Sequence, residues 1–89
     1  MIQKKIDSIV EEIQNLQKEN EHITPTVNDI YDVFSSNFSK IKSATPTEYK
    51  CIRNTIVKFN KLIIEKKMSL KEAIINILWS IVEECKIFD

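Results

Sequence analysis

Ser69 to Phe88, SLKEAIINILWSIVEECKIF, is the stretch whose reading decides the fold. Leu70, Ile74, Ile77, Leu78, Ile81, Cys85 and Phe88 recur at the three-and-four spacing of one helical face. Ile75, Trp79 and Val82 widen that face sideways. A surface helix carries a narrower stripe, so the pattern predicts a helix nearly enclosed by others, with Trp79 packed between them or serving as a half-exposed anchor. Ser69 as N-cap with Glu72 three residues on forms a capping box, flanked by Met68 and Ala73 in the hydrophobic-staple positions. Apart from Glu83 and Glu84, the charges of this stretch sit at its ends.

Three further helices precede it. The first is expected from about Ile2 to Lys18, where Ile2, Ile6, Ile9, Ile13 and Leu16 step by four, three, four and three, with Val10 alongside and Asn20 as terminator. Two Thr-Pro-Thr triplets, at Thr24 and Thr45, each mark a helix start: threonine caps, and proline suits the first helical position. Glu48 completes a capping box with Thr45. The second helix is expected over about Pro25 to Lys42, burying Val27, Ile30, Tyr31, Phe34, Phe38 and Ile41. The third is expected over about Pro46 to Lys66, burying Tyr49, Ile52, Ile56, Phe59 and Ile63. Links this short make consecutive helices antiparallel neighbours, which predicts an all-α, up-down antiparallel four-helix bundle spanning residues 1–89 as one domain. The deepest residues should be Ile13, Phe34, Phe38, Ile56, Phe59, Ile74, Leu78 and Ile81.

Composition agrees. The 89 residues include no Gly and two Pro, so a strand-rich fold would lack its turn residues. Net charge is zero, which disfavours a general nucleic-acid binder. Met1 to Lys5 leads into no long apolar run, so no secretory signal is expected, and Lys71, Glu72, Asn76 and Ser80 interrupt the one stretch apolar enough to suggest a membrane span. Without export, Cys51 and Cys85 are read as reduced core thiols, a disulfide being the minor alternative.

Catalytic constellations are sparse. Glu19-x-x-His22 has the spacing of a carboxylate-bridged metal ligand pair, but His22 is the single His, and a solvated helix end is the simpler reading. A helical enzyme that holds a dicarboxylate with several arginines is disfavoured by the single Arg53. No enzyme activity, cofactor or metal is expected. Charge is unevenly placed instead: residues 45–67 hold six basic side chains against two acidic, a net of +4, while residues 68–89 net −2. Lys50, Lys58 and Lys61 share the outer face of the third helix, as a solvated face or as a basic stripe for lipid phosphates or an acidic partner. At the end of the chain, Phe88 continues the core face, whereas Ile87 points off it and is the candidate for outside contact beside Lys86.

The run Asn28-Asp29-Ile30-Tyr31-Asp32-Val33-Phe34, the proline-led helix from Pro46 to Lys67, and the entry Met68-Ser69-Leu70-Lys71-Glu72 resemble the immunity proteins of class IIa bacteriocin producers, the enterocin A immunity type. The resemblance extends over Asn28 to about Ser80 and is one of pattern and loop spacing. It implies a cytoplasmic protein that protects its producer from its own pore-forming peptide. Protection in that family involves the sugar-uptake permease that serves as the peptide's membrane receptor, with the C-terminal half deciding which peptide is countered. On that basis the chain is expected to be a monomer, active at the inner face of the membrane. No family motif transfers a functional residue; the charge placement and the apolar chain end make Lys50, Lys58, Lys61, Lys86, Ile87 and Phe88 the expected partner- or membrane-facing residues. The competing expectation is a generic helical regulatory module that docks a helix into a groove.

Overall fold

The computed structural model describes residues 2–87; Phe88 therefore lies outside the described residues. Ile6, Ile9 and Ile13 form a buried line along α1 (Ile2–Glu19), as their spacing predicts. The helix ends one residue later than the asparagine reading required. Glu21, not Asn20, takes the left-handed conformation at φ 56°, the Glu21 N–H bonds to the Lys18 carbonyl at 3.1 Å, and the His22 N–H bonds to the Gln17 carbonyl at 2.9 Å. That bond pair is a Schellman stop built without glycine.

The predicted second helix is two pieces, α2 (Val27–Asn37) and the single turn α3 (Ser39–Lys42), separated by Phe38 in extended conformation. The cause is local. Ser36 Oγ donates to the Asp32 carbonyl at 2.9 Å and Asn37 Nδ2 to the Val33 carbonyl at 2.8 Å, so short polar side chains crowd the backbone acceptors of the last turn. The break leaves Phe38 half-buried, edge-on to Phe34 with the Lys5 ammonium over its ring, while α3 turns Ile41 fully into the core. The cap also moves: Thr26, not Thr24, is N-cap, in a reciprocal box with Asp29.

Asp29 ties the α1–α2 junction together. Its Oδ2 accepts from the Thr26 N–H at 3.0 Å and from His22 Nδ1 at 2.8 Å, and the residue is buried. Burial pushes its carboxyl up; the Thr26 N–H and the His22 ring outweigh that and hold it below the ordinary aspartate value.

The third long helix, α4 (Pro46–Ile64), begins as expected with Thr45 and Glu48 in a capping box. Lys66 at φ 60° closes it with a second Schellman pair, the Lys67 N–H bonding to the Leu62 carbonyl at 2.9 Å. Ile52, Ile56 and Phe59 face inward, but Tyr49 lies at the surface, edge-on to Tyr31 with ring centroids 5.1 Å apart. Helix α5 (Leu70–Ser80) is capped by Ser69, whose hydroxyl accepts the Glu72 N–H at 3.2 Å. Ala73, Ile74 and Ile77 are fully buried, and Ile81 completes the line at the start of a π-helical turn, Ile81–Cys85.

Three expectations fail at this end of the chain. Cys51 and Cys85 form a disulfide with Cα atoms 5.9 Å apart, where two reduced thiols were expected; the π turn brings Cys85 against α4. Lys86 adopts a left-handed conformation and reverses the chain, so Ile87 is buried at 6% exposure instead of facing outward. Leu78 is only half-buried, because the core line of α5 runs through Ile74, Ile77 and Ile81.

Among the described residues all regular structure is helical. Helix α1 packs on α2 and α5, and α4 packs on α2 and α5, so each of the four long helices has two neighbours around one isoleucine-rich core. Asn37 Nδ2 of α2 reaches the Glu12 carboxylate of α1, and Lys71 of α5 pairs with Asp7 of α1 at 3.1 Å.

Two stability predictions follow from these junctions. Asp29→Ala should cost about 1–2 kcal/mol at pH 7 through the lost cap. Because the folded carboxyl titrates below its unfolded value, this contribution is full above the unfolded value of 3.8 and disappears as pH falls through the folded one. Urea unfolding of both proteins from pH 7 to pH 2 should therefore show midpoints that converge in acid. Disulfide removal by Cys51→Ser with Cys85→Ser opens a cross-link between residues 34 apart, worth about 3–4 kcal/mol by chain entropy. A domain of this size has roughly 5–13 kcal/mol in total, so the double variant should stay folded in circular dichroism with a lower urea midpoint.

Candidate functional site

The predicted lysines occupy a helix face, as their spacing required. Lys50 and Lys58 are exposed and flank a shallow groove of 410 Å³ between α4 and the π turn, lined also by Thr47, Cys51, Asn54, Thr55 and Glu84. Glu84 brings a carboxylate to that groove, and the Lys58 ammonium lies 5.4 Å from the centroid of the Phe59 ring. Lys61 is exposed in the last turn of α4 and does not line the groove; Lys86 is exposed at the chain reversal. The disulfide forms part of the groove floor through Cys51. Ile87, the expected apolar contact, packs into the core, and Phe88 lies outside the described residues.

A different surface carries the exposed apolar side chains. Trp79 is 64% exposed, not packed between helices. With Ile75, Leu78 and Val82 of the α5–π segment and Ile6 of α1 it lines a cleft of 240 Å³ whose walls are almost wholly apolar. The Lys71–Asp7 pair joins the two helices that form the cleft.

The helical wheel separates Trp79 from the core line, although it does not say which part of a broad apolar stripe a neighbour covers. At about 100° per residue, Trp79 lies nearly opposite Ile77 and Ile81 on the helical wheel. The width of the apolar stripe predicts enclosure, and the structure leaves Trp79 exposed. In a ring of four helices a member is covered by two neighbours only, and the remainder of its stripe faces water.

Chemically, the cleft can desolvate apolar side chains; it offers no group to activate a substrate. Among the described residues no group of three or more His, Cys, Asp and Glu side chains is placed to hold a metal ion. His22, considered above with Glu19, directs Nδ1 to Asp29. No helix among the described residues is long and apolar enough to cross a membrane. Comparison with family models, with curated proteins and with solved structures finds no match to this chain.

Proposed function

We propose that the chain is a non-catalytic interaction protein of the bacteriocin-immunity type, an antiparallel up-down four-helix bundle. It would protect a producer cell from its own pore-forming class IIa peptide by acting on the receptor complex at the cytoplasmic side of the membrane. The resemblance of Asn28 to Ser80 supports the family; the closed ring of four long helices supports the topology. The single observation that carries the interaction reading is the solvent-exposed cleft centred on Trp79. Large apolar side chains gathered at one surface, with a tryptophan at the centre, are the usual anchor of specific recognition. The recognition element of this reading is therefore the α1–α5 face, and the Ile87 end of the chain serves the core.

Growth protection tests the reading directly. Expression in a sensitive strain challenged with class IIa peptides should allow growth, and Trp79→Ser should remove that protection while leaving helical content unchanged. Full protection by the Trp79→Ser protein would take the cleft out of the mechanism. A cytoplasmic site of action carries a further requirement. Reducing conditions open disulfides, so the chain must act with Cys51 and Cys85 as thiols. The Cys51→Ser, Cys85→Ser protein should then protect as well as the parent; loss of protection by a folded double variant would argue against a cytoplasmic role.

Gathering at the inner leaflet is the role proposed for Lys50, Lys58 and Lys61. Each lysine close to an anionic surface contributes roughly 1 kcal/mol, weakened by salt. Changing all three to Glu should reduce co-sedimentation with anionic vesicles without altering the circular dichroism spectrum. Unchanged vesicle binding would identify the stripe as a solvated face.

A further inference from the structure

The α1–α5 cleft also constrains the chemistry of what fills it. Its walls are helices, whose backbone N–H and C=O groups are already paired, so it presents no sheet edge on which an extended peptide could pair. An extended strand therefore gains no backbone pairing here, whereas a helix arrives with its backbone already paired and needs only to bury side chains. The lining from Ile75 to Val82 is two helical turns long, about 10 Å, matching side chains at i, i+3 or i+4, and i+7 of a partner helix.

Charge then narrows the choice. Glu72 lies seven residues before Trp79 and Glu83 four after it, which puts both on the Trp79 line at the outer margin of the cleft. Both are exposed, and among the described residues neither carboxylate has an ion-pair partner. Lys71 of α5 is engaged by Asp7 at 3.1 Å, and on α1 the Lys5 ammonium beside Ile6 lies over the Phe38 ring. The uncompensated charge along the α5 wall of the apolar cleft is therefore negative. A second copy of this chain, related by a two-fold axis, would set Glu72 and Glu83 against an identical acidic margin. An anionic lipid surface would be repelled in the same way.

We infer that the α1–α5 cleft binds the apolar face of an amphipathic helix with basic flanks, with Trp79 as the anchor and Glu72 and Glu83 selecting the positive charge. This rests on the reading of that face as the recognition surface and adds the partner's chemistry to it. Trp79 is the single tryptophan of the chain, so its fluorescence reports occupancy without a label.

The test uses two synthetic 16-residue Trp-free amphipathic peptides that share one leucine face and carry either lysine or glutamate on the flanks. Titrating the lysine peptide into the whole protein should shift Trp79 emission to the blue and saturate. At low ionic strength it should bind about tenfold or more tighter than the glutamate peptide, and the difference should shrink in high salt. Glu72→Lys with Glu83→Lys should invert the preference, and calorimetry with Trp79→Ser should show binding lost. Equal affinity for the two peptides, or no binding of either, would overturn the inference. So would a blue shift on raising protein concentration alone with a dimer in sedimentation equilibrium, or a blue shift induced by anionic vesicles but not by the lysine peptide. The growth assay separates the two levels. Protection lost in Trp79→Ser without peptide binding by the parent sinks the helix partner and leaves the immunity reading. Lysine-peptide binding with protection intact in Trp79→Ser does the reverse.

Discussion

The buried line Ile74, Ile77 and Ile81 is the constraint on which the rest of the structure depends. These side chains are fully buried, and the helix that carries them packs on both α1 and α4. Isoleucine suits this position: its χ1 is nearly fixed within a helix, so ordering it in a core costs less entropy than ordering a longer side chain. Ile9 and Ile13 of α1, Ile30 of α2 and Ile52 and Ile56 of α4 complete the same core, all fully buried. Once that line faces inward, the orientation of every other residue on α5 is determined. Ile75, Leu78 and Trp79 go to the side where α1 covers them incompletely, and the same geometry that closes the core opens the cleft.

The end of the chain shows how one local departure redirects several side chains. In a continued α-helix Cys85 and Phe88 would follow Ile81 on the core face, and Ile87 would point away. The π turn at Ile81–Cys85 advances each residue by a smaller angle, and Lys86 then reverses direction through a left-handed conformation. The result places Cys85 against Cys51 and folds Ile87 back into the core. A positive φ at lysine costs about 1 kcal/mol or more, a cost offset here by burial of the isoleucine that follows.

Much of this was legible because helix signals are local. The isoleucine periodicity of α1, the Thr45–Glu48 box, the Ser69 cap and the inward Ile52, Ile56, Phe59, Ile74 and Ile81 all rest on residues within a turn or two of each other. The misreadings have equally local causes. The cap expected at Thr24 falls instead on Thr26, because Asp29 stands three residues on to return the bond. The Ser35-Ser36-Asn37 run, read as continuous helix, diverts backbone acceptors and ends α2 at Asn37. Stops at Glu21 and Lys66 were hard to place because no glycine marks them; charged residues take the left-handed positions instead. The disulfide and the exposure of Trp79 belong to another order of information. Both depend on how α5 and its π turn sit against neighbours, which no window of sequence contains.

Charge separation along the chain acquires a spatial meaning in this arrangement. The basic residues of α4 and the acidic residues of the α5–π segment are adjacent in sequence, yet they serve different surfaces. Lys50 and Lys58 flank the groove over the disulfide, where Glu84 offsets part of their field. Glu72 and Glu83 stand instead along the Trp79 line, with Lys71 occupied by Asp7. A net charge of zero conceals this division, because the opposite signs cancel in the sum and not at either surface. Local charge, acting within roughly a Debye length of 8–10 Å, is what an approaching partner meets. A neutral chain can for that reason place lysines beside a groove on one side and carboxylates along an apolar cleft on another, so that each surface carries a local field the net charge does not report.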